Sequence, residues 1–272
     1  MTEPGDVRLK LVNRAENVAL VRQAITGLAA TIHLEDGTLS DIRTAVSEAC
    51  NNVVLHAYDG EDGLLEVWAH TDDEDLIITV RDEGGGIQPR AGPQGSAMQG
   101  VGLALIQTLT DRVEFSGGDS GTEVRMTFST GQPLDTGAAP CETDIKRTPG
   151  GEVVVLTCGL LVGPVLSGVV GMLAARADFS VERLADAQLV TDAIAAHGPL
   201  AFPGRYVIVA MDVDTGALDL RLGPLREGGA QTLLEASAVE GIGPLLERLT
   251  DEQSVEGDGE GDVLRLSFRA AA

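Results

Sequence analysis

Residues 38–58 carry the clearest pattern of apolar and polar positions in the chain. Their apolar residues recur three and four positions apart, which predicts a helix with one buried face: Ile42, Ala45, Val46, Ala49, Val53 and Ala57. Glu48 and Asn52 are four residues apart, so we expect them to project together at the edge of that face. A carboxylate and an amide side by side at such an edge are poorly explained by packing alone.

The rest of the first half alternates between strand and helix patterns. Strands are predicted at 7–12, 64–70, 76–80, 112–116 and 122–128, and further helices at 16–30 and 100–111. Thr38 or Ser40 is expected to cap the helix at 38–58. Residues 88–99 contain Pro, Gly and Ser without periodicity, which predicts a loop. This order predicts an α+β sandwich with helices packed on one face of a mixed sheet.

The second half repeats the first at an offset near 142 residues. GVGLALIQTLTD in the first half corresponds to GIGPLLERLTD in the second, and EVRMTF corresponds to VLRLSF. The composition of residues 131–150 is that of a linker. We therefore expect two tandem sandwiches of the same type, at 1–130 and 151–272.

The two copies differ where chemistry is expected. At the offset of 142 residues, Glu48 corresponds to Val190 and Asn52 to Ile194. The second copy keeps the apolar pattern but lacks the polar residues, which predicts a degenerate repeat without an active site.

Charge and cysteine content narrow the possible functions. The net charge is −23, and Lys10 and Lys146 are the only lysines, which argues against binding a nucleic-acid backbone. The three cysteines show neither a disulfide framework nor zinc spacing, as expected of a cytoplasmic protein. Residues 153–175 are uncharged and long enough to span a bilayer. The repeat predicts a strand followed by a helix there, so no membrane span is expected.

Three short motifs suggest how the first half could bind a nucleotide. Asp82 ends a strand beside a glycine cluster, where its carboxylate could accept a hydrogen bond from an amine such as that of adenine. Gly100 and Gly102 open a helix whose N-terminal N–H groups suit phosphates. Asn52 offers a neutral oxygen that suits Mg²⁺, and Glu48 could orient or deprotonate an attacking hydroxyl. Each motif alone is weak evidence; the three in this order are much stronger.

This combination resembles the histidine-kinase-like (GHKL) ATPase superfamily, which includes gyrase, histidine kinases and MutL. SEACNNVVLHAY resembles its first box, RDEGGGI its second, QGVGLALI its glycine box and Gly121–Thr122 its closing strand. Within the superfamily, the pattern S-E-A-x-x-N-x-x-x-H-x-Y is typical of anti-sigma-factor serine/threonine kinases of the RsbW and SpoIIAB type. Residues 47–58 match every position of that pattern.

The resemblance implies an ATP- and Mg²⁺-dependent protein serine/threonine kinase. Such a kinase phosphorylates a STAS-type anti-anti-sigma protein and sequesters a sigma factor. Glu48 would be the catalytic residue and Asn52 the metal ligand. The residues implied in nucleotide binding are Asn52, Asp82, Gly84, Gly86, Ile87, Gly100, Val101, Gly102, Leu103 and Thr122. Because these kinases work as homodimers of single domains, the second copy is expected to form an internal pseudo-dimer or to mediate dimerisation.

Other functions remain open from the sequence. The loop at 88–99 contains only one cation, Arg90, which favours an adaptor that binds ATP and switches partners without phosphoryl transfer. A histidine kinase fits less well, since no convincing helix pair carries a phospho-acceptor histidine. A membrane sensor would require residues 153–175 to span the bilayer.

Overall fold

The computed structural model describes residues 7–85, 101–118, 121–134, 151–204, 206–241, 243–257 and 261–270. The chain divides into two compact units: the first comprises Arg8–Asp135, and the second comprises the chain from Thr136 onward together with Val7. Backbone N–H groups of Thr130 and Leu134 donate to the carbonyl oxygens of Glu74 and Asp73. The first unit therefore continues beyond residue 130, where its end was expected.

The first unit is built from strands and helices in the expected order. Its elements are β1 (Val7–Val12), α1 (Ala15–Thr31), α2 (Asp36–His56), β2 (Leu64–Asp72), β3 (Asp75–Asp82), α3 (Val101–Leu109), β4 (Arg112–Gly118) and β5 (Gly121–Ser129). The strands lie in the order β1-β2-β3-β5-β4. The pairs β2–β3, β3–β5 and β4–β5 are antiparallel.

Both faces of the central strands β2 and β3 are buried, and one of them packs against α2. Leu65 on β2, Ile78 on β3 and Met126 on β5 are fully buried, as are Leu20 on α1 and Ile42 on α2. Burial of such side chains stabilises the fold by about 1.5–3 kcal/mol each. The predicted α+β architecture, with helices packed on a sheet, is confirmed.

The start of α2 differs from the expectation. The helix begins at Asp36, two residues before Thr38, and its N-cap residue is Glu35, whose side chain makes no capping hydrogen bond. Gly37 lies in open space in the first turn, so the Gly37-Thr38 pair does not break the helix. The acidic residues Glu35 and Asp36 sit at the positive end of the helix dipole, which favours this start.

The second unit is also built from strands and helices. Its elements are β6 (Val153–Cys158), α4 (Val162–Arg176), α5 (Val181–Ala201), β7 (Tyr206–Asp214), β8 (Ala217–Leu225), α6 (Gly229–Ala236), β9 (Ala238–Val239), β10 (Gly243–Pro244), α7 (Leu245–Leu249), β11 (Glu252–Gly257) and β12 (Asp262–Arg269). Its five longer strands lie in the order β6-β7-β8-β12-β11. This is the order found in the first unit, and every pair of neighbours is antiparallel.

Burial along the helices gives a different offset from the one read off the sequence. The buried positions of α2 coincide with those of α5 at an offset of 145 residues: Ile42 with Ala187, Ala45 with Val190, Val46 with Thr191, Ala49 with Ile194 and Val53 with Gly198. Glu48 therefore corresponds to Ala193 and Asn52 to His197. The predicted correspondence with Val190 and Ile194 is wrong because the α5–β7 connection is shorter than the α2–β2 connection.

The uncharged stretch at 153–175 forms a strand and then a helix, as expected. Strand β6 pairs with β7, and Val165, Val169 and Leu173 of α4 are buried. One segment of the described residues, Gly159–Arg176, is long and apolar enough to cross a membrane, with a mean hydropathy of 1.6 and 44% of its residues buried.

Candidate functional site

Glu48 and Asn52 meet the first turn of α3. Both side chains lie half-buried on α2, and α3 packs across that helix. A Cβ atom on Gly102 would lie 2.8 Å from Oε2 of Glu48 and 3.7 Å from Oδ1 of Asn52. Two oxygen atoms from α2 therefore converge on the N-terminal turn of α3, where backbone N–H groups lack helical partners.

Asp82 forms the second part of the site, at the end of β3. Its side chain is 4% exposed. Oδ1 accepts hydrogen bonds from the backbone N–H groups of Gly84 (2.9 Å) and Thr122 (3.2 Å). Among the described residues, none donates a hydrogen bond to Oδ2. The carboxylate is thus held by one oxygen, and the other can accept a hydrogen bond from a ligand.

Close backbone packing explains the glycines around Asp82. A Cβ atom on Gly84 would overlap the carbonyl oxygen of Ala57, at the end of α2. The same oxygen accepts a hydrogen bond of 2.9 Å from the N–H of Gly85. Gly121 has a φ of +119°, and a side chain there would strike the carbonyl oxygen of Asp82. These contacts hold the end of β3 against both α2 and β5.

Tyr58 organises the same region, although the sequence analysis assigned it no role. Its hydroxyl donates to the carbonyl oxygen of Leu64 (2.7 Å) and accepts from the N–H of Glu83 (2.8 Å). A Cβ atom on Gly63 would overlap the Tyr58 ring. Burial raises the pKa of Tyr58, chiefly through desolvation, so the hydroxyl is neutral at ordinary pH. In the sequence, two residues could have indicated this role: the tyrosine that ends the first box, and Gly63 five residues after it.

Several of the expected site residues are not described. Gly86, Ile87 and Gly100 lie outside the described residues, as does the loop at 88–99. The backbone of Val101 begins α3, and Leu103 lies half-buried on that helix. The structure therefore brings together the α2 residues with Gly102, and Asp82 with Gly84 and Thr122.

The oxygen ligands available in the site suit Mg²⁺ that is bound together with a nucleotide. No group of three or more His, Cys, Asp or Glu side chains forms a metal cluster within the part of the chain that the structure describes. Mg²⁺ usually takes one or two protein oxygens together with phosphate oxygens and water. Oδ1 of Asn52, beside the α3 N-terminus, fits that requirement.

A groove of about 510 Å³ opens beside Glu48, between α1 and α2. Its lining includes two guanidinium and two carboxylate groups: Arg22, Asp36, Leu39, Ser40, Arg43, Thr44, Ser47 and Glu48. The two arginines offset the carboxylates of Asp36 and Glu48, so the lining carries no net formal charge, whereas the whole chain carries −23. A segment lying in it could present a hydroxyl group to Glu48.

The second unit does not reproduce this site. Ala193 and His197 replace Glu48 and Asn52, and Pro224 replaces Asp82. Between β8 and β11, the described chain also forms α6, which packs on α5 with Leu233 fully buried. A Cβ atom on Gly229 of α6 would lie 2.7 Å from the carbonyl oxygen of Ala201. The second unit therefore has a packed helix between these strands, whereas the sequence of the first unit predicts a loop at residues 88–99.

Comparison with known proteins gives consistent matches to the first unit. The family model described as "Histidine kinase-like ATPase domain" matches residues 11–128. Serine-protein kinase RsbW of Bacillus pumilus is 36% identical over 143 residues, covering 47% of this chain and 88% of that protein. Anti-sigma F factor of Caldanaerobacter subterraneus is 33% identical over 134 residues, covering 44% of this chain and 91% of that protein.

A solved structure was also matched. The crystal structure of the RsbU and RsbW domains of a Mycobacterium tuberculosis protein aligns with 22% identity and a TM-score of 0.36, covering 50% of this chain and 34% of that one. The sequence relatives are matched over most of their own length. Through its first unit, the chain belongs to the family of RsbW-type serine-protein kinases and anti-sigma F factors, which have a histidine-kinase-like ATPase domain.

Proposed function

We propose that the first unit binds ATP with Mg²⁺ and transfers the γ-phosphoryl group to a serine or threonine of a partner protein. The observation that carries this proposal is the convergence of Glu48 and Asn52 on Gly102, at the N-terminal turn of α3. Asp82 provides a separate anchor with one free carboxylate oxygen. The end of the site at Asp82 thus suits a nucleobase, and the end at Gly102 suits phosphates.

Each part of the nucleotide has a matching group. Oδ2 of Asp82 would accept a hydrogen bond from the exocyclic amine of adenine, while the Gly84 and Thr122 N–H groups hold the carboxylate in place. The N–H groups at the start of α3 would bind phosphate oxygens. Asn52 would supply a ligand to Mg²⁺, which neutralises phosphate charge during transfer.

Glu48 is the group best placed to act on the incoming hydroxyl. Its carboxylate lies between the groove and Gly102, so it can reach both a partner segment and the phosphate end of the site. There it would accept or orient the proton of the attacking hydroxyl. Arg22 and Arg43 would pair with acidic groups of the partner segment.

We propose that the partners are a STAS-type anti-anti-sigma protein, as phosphoryl acceptor, and a sigma factor that the chain sequesters. Support comes from relatives named serine-protein kinase RsbW and anti-sigma F factor. The net charge of −23 agrees with protein partners and opposes direct contact with nucleic acid. A cytoplasmic location follows from this role.

Calorimetry with ATP and Mg²⁺ tests the nucleotide site directly. Wild type should bind one ATP per chain, because Ala193, His197 and Pro224 replace the corresponding polar residues in the second unit. Asn52→Ala and Asp82→Ala should each weaken binding about tenfold or more. Absence of binding by wild type would exclude the kinase.

The alternative is an adaptor that binds ATP and exchanges partners without phosphoryl transfer. It is favoured by the cation-poor sequence of residues 88–99, in which Arg90 is the only basic residue. Transfer of labelled γ-phosphate to a STAS protein separates the two functions. Glu48→Gln should retain ATP binding and lose transfer; binding without any transfer by wild type would establish the adaptor.

We also propose that the second unit arose by duplication and acts without nucleotide. The shared strand order and the matched burial of α2 and α5 support this origin. The internal pseudo-dimer stays a prediction. Cross-linking within single chains, read by mass spectrometry, would test it: links between equivalent surfaces of the two units are expected, and their absence would count against it.

A further inference from the structure

Helix α5 carries a stripe of exposed apolar residues along its outer side. Val181 is 86% exposed, Leu189 47% and Leu200 62%. The other exposed positions in the same row, at spacings of three and four, are Ala185, Asp192 and Ala196. These six residues are called the α5 stripe. A soluble surface helix normally turns charged and polar residues outward, so an apolar outer row suggests contact with another surface.

The fold does not require this stripe. At the offset of 145 residues, α2 carries mostly polar residues in the same row: Asp36, Ser40, Thr44, Ser47, Asn51 and Leu55. Both helices bury equivalent positions within their own units. The second unit has therefore exchanged a polar outer row for an apolar one while keeping the same core pattern.

Helix α4 extends the apolar surface beside the stripe. A Cβ atom on Gly163 would lie 3.6 Å from Cβ of Ala195, and one on Gly171 would lie 3.7 Å from Oε1 of Gln188. The two helices therefore run antiparallel and in close contact. The exposed positions of α4 are the uncharged Pro164 and Ala175, and Leu160 just before the helix is 69% exposed.

The α5 stripe is complementary to itself. Its residues lie at equal distances on either side of the point between Val190 and Thr191, so an antiparallel copy would place Val181 opposite Leu200, Ala185 opposite Ala196 and Leu189 opposite Asp192. The alanine pairs allow two helices to approach closely, and the larger aliphatic pairs fill the ends. A twofold interface needs this reciprocity, because each residue meets its partner twice.

We propose that the α5 stripe is the interface through which two copies of this chain associate, with their α5 helices antiparallel. Charge supports a second copy at this face. The chain has a net charge of −23, so most contacts between copies are repulsive. Only Glu182 and Asp192 are charged among the exposed described positions of α4 and α5, and the antiparallel arrangement sets Asp192 against Leu189 instead of against its own copy.

Sedimentation equilibrium of the full chain gives the first test. We expect a concentration-dependent dimer whose dissociation constant rises about tenfold or more in Ala196→Glu, since two carboxylates would enter the interface. Asp192→Leu should tighten the dimer. The matched control is Ala30→Glu, which makes the same change at an exposed position of α1 and should leave the dimer unchanged. Circular dichroism checks that each variant is folded.

Disulfide trapping tests the antiparallel register. In a background with Cys141→Ser and Cys158→Ser, chains carrying Ala185→Cys are mixed with chains carrying Ala196→Cys. Cys50 is buried with its pKa raised to about 12, so it does not compete. The expected product is the mixed disulfide. Identical positions would be about 16 Å apart along antiparallel axes, too far for a disulfide.

Several outcomes would overturn the proposal. These are a wild-type monomer at every concentration tested, a dimer unaffected by Ala196→Glu, or disulfides between identical positions in preference to the mixed product. Binding of a different protein to the stripe with no self-association would also reject it. ATP binding, measured on the same variants, depends on Asp82 in the other unit. Its result therefore tests the proposed function separately from the proposed dimer.

Discussion

Gly102 lies directly against the carboxylate of Glu48, and only its missing side chain makes room for that contact. A Cβ atom there would lie 2.8 Å from Oε2 of Glu48. The glycine thus does more than start α3, because it also sets the position of the proposed catalytic carboxylate.

Gly102→Ala should therefore impair transfer more than binding. The added methyl group would push the Glu48 side chain away, and misplacement of a catalytic group by about 1 Å can cost on the order of 100-fold in rate. We expect phosphoryl transfer to fall about 10- to 100-fold. Gly37→Ala is the control, because a Cβ atom at Gly37 meets nothing within 4 Å. Equal loss of transfer in both variants would contradict this view of Gly102.

Substitution by alanine should have very different effects on stability at Gly84 and at its neighbour Gly85. At Gly84 a methyl group would overlap the backbone oxygen of Ala57, whereas at Gly85 its nearest neighbour would be that oxygen at 3.9 Å. Overpacking against backbone typically costs about 1–3 kcal/mol. Thermal unfolding should show a clearly lower midpoint for Gly84→Ala and little change for Gly85→Ala. Similar midpoints for the two variants would show that this packing is not decisive.

Asp82→Asn should change which base is bound while keeping the fold. The amide oxygen can still accept from Gly84 and Thr122, but the amide nitrogen would then face the proposed adenine amine, donor against donor. We expect ATP affinity to fall about 10- to 100-fold, with a smaller loss for ITP, whose ring presents an acceptor at that place. Calorimetry with both nucleotides measures the ratio. An unchanged preference for ATP would remove Asp82 from base recognition.

Tyr58→Phe should loosen the connection between α2 and the end of β3. The change leaves the N–H of Glu83 and the carbonyl of Leu64 without their hydroxyl partner, at a cost of about 1 kcal/mol in the free energy of unfolding. Urea unfolding measures this loss. Tyr206→Phe in the second unit, where the ring packs on Phe202, is the control for nucleotide affinity, which only Tyr58→Phe should lower.

The raised pKa of Tyr58 gives a pH dependence. Desolvation raises this pKa above the usual value of 10.0, so the folded state holds the proton after the unfolded chain has released it. Above about pH 10 the unfolded state binds fewer protons, and stability must fall as pH rises. As the pH rises above about 10, the free energy of unfolding of wild type should decrease, and that of Tyr58→Phe should decrease less. Identical slopes would contradict the assignment.

Much of the first unit could be predicted from residue patterns. The apolar row of α2 and the short apolar runs in β2 and β3 are strong local signals, and the structure contains all three elements. The start of α2 could not be predicted because Gly37 is tolerated in an exposed first turn, and no side-chain cap marks the true start at Asp36.

By itself, the sequence determined the fold class, the family and the choice of candidate residues, because helical spacing and short motifs are local properties of the chain. Tertiary structure decided which of those residues meet. Glu48 and Gly102 are 54 positions apart in sequence, and only the packing of α3 on α2 brings them together. It also decided the correspondence between the two units. A shorter connection after α5 shifts the offset from 142 to 145 residues, and burial against the sheet reveals this shift where residue similarity did not.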